Sequence, residues 1–163
     1  MLPQSLAQKA RVLLADDHAA LLAQSANLLM GEFEIVGFTA NGLDLVKAAL
    51  RLDPDAVVLD ITMPGLDGME AARRLQAAGC RAKLVFLTVH EDPDYLHAAL
   101  EAGGTGYVVK TRLALDLIDA VHEALAGHRF VSPTLSGEEN QRNPLPDAPG
   151  IKPRPGQTGK TKP

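Results

Sequence analysis

Two textures of hydrophobic patterning alternate along the chain. Short, nearly continuous apolar runs are followed by longer stretches in which apolar positions return every three or four residues. The first texture predicts buried strands and the second predicts amphipathic helices. Strands are expected at Val12–Leu14, Phe33–Phe38, Val57–Leu59, Leu84–Leu87 and Tyr107–Val109. Helices are expected from Leu21 to about Met30, over Leu43–Leu50, Gly68–Ala78 and Pro93–Ala102, and from Ala114 to Leu125. Gly31, Asp53-Pro54, Gly103-Gly104 and Gly127 supply the stops, and Gly104-Thr105-Gly106 reads as a turn before the fifth strand.

Five strand–helix repeats in strict alternation imply a parallel sheet covered by helices on both faces. Right-handed crossovers leave few ways to arrange it. The expected fold is α/β and flavodoxin-like, a five-stranded sheet in the order 2-1-3-4-5. This domain occupies residues 10–132. After it the texture ends. Residues 133–163 hold seven of the 11 prolines and no aromatic residue, which predicts a disordered Pro/Gly-rich tail. Its T-G-K-T is not a phosphate-binding loop, because Arg154 stands where the first glycine is needed.

In an open parallel sheet, ligands sit at the carboxyl ends of the strands. Four of the five strands end in polar or charged residues: Asp16-Asp17, Asp60, Thr88 and Lys110. Each has an ordinary reading alone. Asp16 and Asp17 could cap the first helix, Asp60 and Thr88 could satisfy a turn, and Lys110 could be a solvated lysine. Together they point to chemistry. Three carboxylates at one edge repel each other and raise one another's pKa unless a hard cation lies among them. Mg²⁺ suits such oxygen ligands. With a hydroxyl and an ammonium beside it, the set suits a phosphoryl group, and Asp60 is the candidate acceptor.

The motifs L-L-A-D-D-H (Leu13–His18), V-V-L-D-I-T-M-P-G-L-D-G (Val57–Gly68), V-F-L-T (Val85–Thr88) and G-Y-V-V-K (Gly106–Lys110) resemble those of the receiver domains of two-component response regulators. The resemblance covers residues 10 to 132. The D-D-H opening and the L-A-G-H-R-F-V-S-P ending look like the NarL/FixJ-like subgroup, usually joined to a helix-turn-helix output domain. The resemblance implies that Asp60 takes a phosphoryl group from a sensor histidine kinase or a phosphotransfer protein. It implies that Asp16, Asp17, Asp60 and the backbone carbonyl of Thr62 hold Mg²⁺. Thr88 and Lys110 would bind the phosphoryl oxygens, and Tyr107 would be the aromatic that reports the state of Thr88. Two positions depart from the pattern. Thr111 follows the lysine where many receivers have proline, and a cis bond without proline costs about 3 kcal/mol. Val89 follows Thr88 where smaller residues are common, and its bulk is expected to crowd the site.

Composition narrows the partners. Residues 1–136 carry 11 basic and 17 acidic side chains, a net of −6, and residues 137–163 carry +2. An acidic domain is a poor non-specific nucleic-acid binder. The expectation is therefore a phosphorylation-switched surface for a downstream protein partner, with a phosphorylation-dependent homodimer as a further outcome and no direct DNA binding. His90, Tyr95, Tyr107 and the outer side of the fifth helix are the expected contacts. No apolar run reaches 18 residues, so no membrane span is expected. The single cysteine, Cys80, reads as a buried or bystander thiol in a reducing, cytoplasmic setting. His18, His90, His97, His122 and His128 show no ligand spacing and read as surface or loop residues. Two other functions compete: the receiver part of a transcription regulator lacking its DNA-binding domain, and an aspartate-nucleophile phosphohydrolase. The latter class typically has D-x-D at its nucleophile, whereas Thr62 stands two residues beyond Asp60. No enzyme acting on external substrates is expected.

Overall fold

A computed structural model describes residues 8–133. The Pro/Gly-rich tail expected to be disordered lies, beyond Pro133, outside the described residues. The elements run β1 (Arg11–Ala15), α1 (Ala19–Leu29), β2 (Glu34–Thr39), α2 (Gly42–Leu52), β3 (Ala56–Asp60) and α3 (Gly68–Ala77). They continue with β4 (Lys83–Thr88), α4 (Pro93–Glu101), β5 (Gly104–Val109), a 3-10 turn (Lys110–Arg112), α5 (Leu113–Leu125) and β6 (Phe130–Val131). The sheet is parallel throughout and ordered β2-β1-β3-β4-β5-β6.

Six strands rather than five correct the expected fold. Phe130 and Val131 pair with Gly106 and Tyr107 at the β5 edge. Two apolar residues are too few to show a period, and only the exposed edge of β5 gives them a ladder. Gly104-Thr105-Gly106 is a second correction, since all three lie within β5. Gly104 is there because a Cβ would stand 2.7 Å from the Phe86 ring and 2.9 Å from the Ala99 carbonyl oxygen.

Alternation along the strands divides the core. Leu13, Val57, Leu59, Phe86 and Tyr107 face α2, α3 and α4 together with Leu45, Met69 and Leu75. Val12, Leu14, Val58, Val85 and Val108 face α1 and α5 with Leu29, Leu117 and Val121. Cys80, half-buried, packs against the first of these layers. Burying each large apolar side chain contributes roughly 1.5–3 kcal/mol, so the two layers hold the strand ends in fixed register.

Three helices start on oxygen caps. Asn41 accepts from the Asp44 N–H, Asp67 from Glu70 and Asp92 from Asp94, with Pro93 in the first turn of α4. Helix α1 differs: its N-cap is His18, it has no side-chain cap, and its first turn holds no acid. The capping reading of Asp16 and Asp17 is thereby set aside. No helix among the described residues is long and apolar enough to cross a membrane.

Candidate functional site

The β2-β1-β3-β4-β5 order brings the carboxyl ends of four strands side by side. Asp16 follows β1 directly, Asp60 ends β3, Thr88 ends β4, and Lys110 follows β5. Asp16 and Asp60 are only 2% and 3% exposed, while Asp17 lies on the rim. Lys110 Nζ lies 3.2 Å from Asp60 Oδ2 and 3.1 Å from Asp16 Oδ2. Asp16 Oδ2 is thus met by the Lys110 ammonium, while Asp16 Oδ1 accepts the His18 N–H at 2.9 Å.

The β3–α3 loop returns tightly over the site. Thr62 N–H donates to Asp60 Oδ1 at 3.3 Å. Gly68 N–H donates to the Ile61 carbonyl at 2.8 Å. A Cβ on Gly68 would come within 2.2 Å of the Asp60 carbonyl oxygen, so this approach excludes every larger residue. Burial raises the pKa of Asp60, and the Asp16 charge raises it further; Lys110 and the Thr62 N–H work in the opposite direction. The site thus holds more negative charge than its one lysine balances.

Thr88 sits at the adjoining strand end with its hydroxyl engaged elsewhere. Its Oγ1 accepts the His90 N–H at 2.9 Å, closing the first turn of the β4–α4 loop. The Tyr107 hydroxyl donates to the His90 carbonyl at 3.4 Å and has the Thr88 hydroxyl as its other polar neighbour. Burial pushes the Tyr107 phenol up to about 12. The His90 ring stacks on Tyr95 of α4, centroids 3.9 Å apart and 3° from parallel. One loop residue is thus held by Thr88, Tyr107 and Tyr95 at once.

Two expectations change here, on Tyr107 and Val89, and two points left open or general by the sequence become definite. Tyr107 is fully buried, so it cannot belong to a contact surface in this state; Phe86, Ala99 and the sheet enclose it. Val89 is 65% exposed, so its bulk lies outward and does not fill the site. The Lys110–Thr111 bond is trans, as are all peptide bonds of the described residues. His97 and His122 are surface residues as expected, on the exposed sides of α4 and α5.

Sequence reasoning also missed three residues. His18 turns its Nδ1 toward Asp16 and Asp17. Asp116 and Ser132, both buried, bond to each other at 2.7 Å behind the Lys110 turn. The D-D-H motif contained the signal for His18, but a search for helical ligand spacing passes over adjacent residues. Nothing local marks Ser132, which lies 16 residues from Asp116.

A parallel α/β sheet with buried acids and a lysine at its switch point places its polar chemistry where such folds bind ligands. Comparison with known proteins agrees. Residues 12–122 match the response regulator receiver domain. The transcriptional regulatory protein YvfU of Bacillus subtilis (strain 168), itself uncharacterized, is 35% identical over 138 residues, covering 83% of this chain and 69% of YvfU. The nitrate/nitrite response regulator NarL of Escherichia coli (strain K12) is 32% identical over 131 residues, covering 79% of this chain and 61% of NarL. The crystal structure of a LuxR-family two-component response regulator from Aurantimonas sp. SI85-9A1 superposes with a TM-score of 0.76 at 31% identity, covering 80% of this chain and 95% of that one. The chain belongs to the response regulator receiver domain family of two-component systems. It spans 69% of the length of YvfU and 61% of that of NarL.

Proposed function

We propose that this chain accepts a phosphoryl group on Asp60 from the phosphohistidine of a sensor kinase or phosphotransfer protein, and that the acyl phosphate switches a partner-binding face. The observation that carries the reading is the buried Asp60 carboxylate, paired with Lys110 at 3.2 Å. An Asp60 carboxylate oxygen attacks phosphorus, the P–N bond breaks, and the imidazole leaves with the electron pair. Lys110 supplies a fixed positive charge for the phosphoryl oxygens. Thr88 joins it by releasing the His90 N–H. The β4–α4 loop then loses one of its three ties, and Tyr107 is free to change its hydroxyl partner.

The acid cluster fits a divalent cation. Asp16 Oδ2 is buried and shares the single Lys110 ammonium with Asp60 Oδ2, at 3.1 and 3.2 Å, so the carboxylates outnumber the positive charge beside them. Asp16, Asp17, Asp60 and the Thr62 carbonyl would hold Mg²⁺. When bound, Mg²⁺ supplies the charge that lets an anionic phosphoryl group approach three carboxylates. The chain then acts on no external substrate: it takes up and slowly loses its own phosphoryl group. A cytoplasmic setting belongs to this reading, supported by the single half-buried thiol.

Incubation with a small phosphodonor and Mg²⁺ should add one phosphoryl mass to the intact chain. Asp60→Asn should abolish the addition, and chelation of Mg²⁺ should nearly abolish it. Full labelling of Asp60→Asn would overturn the assignment.

A further inference from the structure

We propose that Asp116 is a positioning residue for the phosphoryl reaction: through Ser132 and Arg112 it fixes the backbone on both sides of Lys110 and so aims the Lys110 ammonium. This role rests on the reading of Asp60 as phosphoacceptor and adds to it the groups that hold its lysine in place.

Lys110 needs such support. Its charge stands at the end of a flexible four-carbon stem. The stem is rooted where a strand gives way to a turn, since β5 ends at Val109 and Lys110 opens the 3-10 turn. Yet Nζ is held 3.1 Å from Asp16 and 3.2 Å from Asp60, with the side chain only 9% exposed. Misplacing a reacting group by about 1 Å can slow a reaction about a hundredfold.

Before Lys110, the support is Ser132. Strand β6 pairs with β5 at Gly106 and Tyr107, and the Ser132 N–H donates to the Tyr107 carbonyl at 3.0 Å. The Val109 N–H points to the same edge, beyond the last paired residue. Ser132 Oγ accepts it at 3.1 Å. A side-chain hydroxyl thus extends the ladder by one bond, to the residue immediately before Lys110.

After Lys110, the support is Arg112. It closes the 3-10 turn, and α5 begins next without a side-chain cap. Arg112 reaches forward instead, with Nε 2.8 Å from Asp116 Oδ2 and Nη2 3.1 Å from Oδ1. Oδ2 also accepts the Ser132 hydroxyl at 2.7 Å. The two supports therefore meet on one carboxylate.

Stability alone does not account for that carboxylate. Asp116 is buried, and taking an ion pair out of water carries a penalty that its attraction barely offsets. Apolar residues of similar volume often stabilise a core as well or better. What they lack is direction. An acceptor that receives a hydroxyl and a forked guanidinium sets where both segments lie. The bonds of Asp116 go to Ser132 and Arg112, so its effect on the reaction passes through the Lys110 backbone.

Phosphorylation of the full chain by a small phosphodonor with Mg²⁺, followed by intact mass over time, tests this as a double-mutant cycle. Asp116→Ala should slow the gain of phosphoryl mass at least about tenfold. In a Lys110→Met background the same substitution should change the residual rate less than about twofold, because the lysine it positions is gone. A substitution that only loosened the fold would slow both backgrounds alike. Thermal melts check that each variant is folded. Arg112→Gln, at a partly exposed position, removes one support and leaves the Asp116–Ser132 bond in place. It carries the same cycle if Asp116→Ala does not fold, with slowing expected only where Lys110 is present. An unchanged rate in the folded variants, or equal slowing with and without Lys110, would overturn the proposal. Full labelling of Asp60→Asn would instead overturn the phosphoacceptor reading, so the two failures are distinguishable.

Discussion

At the scale of single residues, Asp60 combines a functional position with an energetic penalty. Burial and the Asp16 charge hold its pKa above the unfolded value of about 3.9. A carboxyl raised in this way contributes stability that is complete below the unfolded pKa and is lost as pH rises through the folded one. At neutral pH without a cation, the ionised Asp60 therefore works against the fold. Asp60→Asn should melt higher than the native chain at pH 7 in chelator, by roughly 2–5 °C. The difference should close as the pH falls toward about 4, where both side chains are neutral. Mg²⁺ should raise the melting temperature of the native chain more than that of the variant. An Asp60→Asn chain that melts at or below the native chain at pH 7 would show that Lys110 outweighs burial.

At the scale of elements, the short β6 closes a network behind the phosphoryl site. Ser132 N–H donates to the Tyr107 carbonyl at 3.0 Å, and Ser132 Oγ accepts the Val109 N–H at 3.1 Å. The same hydroxyl donates to Asp116 Oδ2 at 2.7 Å, and Arg112 grips both Asp116 oxygens at 2.8 and 3.1 Å. Strand β5, the 3-10 turn, α5 and β6 are thus joined next to Lys110. Ser132→Ala strands the buried Val109 N–H and removes a donor from Asp116. It should cost about 1–3 kcal/mol in urea unfolding. A change below about 0.5 kcal/mol would mean that water replaces the hydroxyl. The capped helices α2, α3 and α4 are the contrasting case. There Asn41, Asp67 and Asp92 act locally, because each cap and its target lie within three residues.

At the scale of the molecule, charge and the buried Tyr107 shape the output. Residues 1–136 have a net charge of −6, and phosphorylation makes it more negative. Association with a protein surface is therefore expected, through the face built from α4, β5 and α5. His90 and Tyr95 are accessible to a partner there, and Tyr107 acts from beneath them. Duplex DNA titrated at near-physiological salt should bind neither form tightly or selectively, because eleven basic side chains on an acidic domain release few counterions. A defined protein retained only by the phosphorylated form would support the switched face. Tight, sequence-selective DNA binding would overturn it.

The sequence by itself determined the βα alternation, the faces of the helices, and the arrival of Asp16, Asp17, Asp60, Thr88 and Lys110 at one edge of the sheet. These follow from hydrophobic period and from residues at element ends, both legible within a few positions. Tertiary structure alone decided the rest. Phe130 and Val131 become a strand only because the β5 edge is open to them. Gly104 and Gly106 extend that strand because the Phe86 and Val85 side chains press against them from β4. Tyr107 passes from surface candidate to core because both neighbouring strands and the β4–α4 loop enclose it. The aim of His18 follows from Asp16 Oδ1, which accepts its backbone N–H at 2.9 Å and draws its ring beside Asp17. In each case the deciding partner is fixed by packing or by backbone direction, which period and motif spacing do not encode.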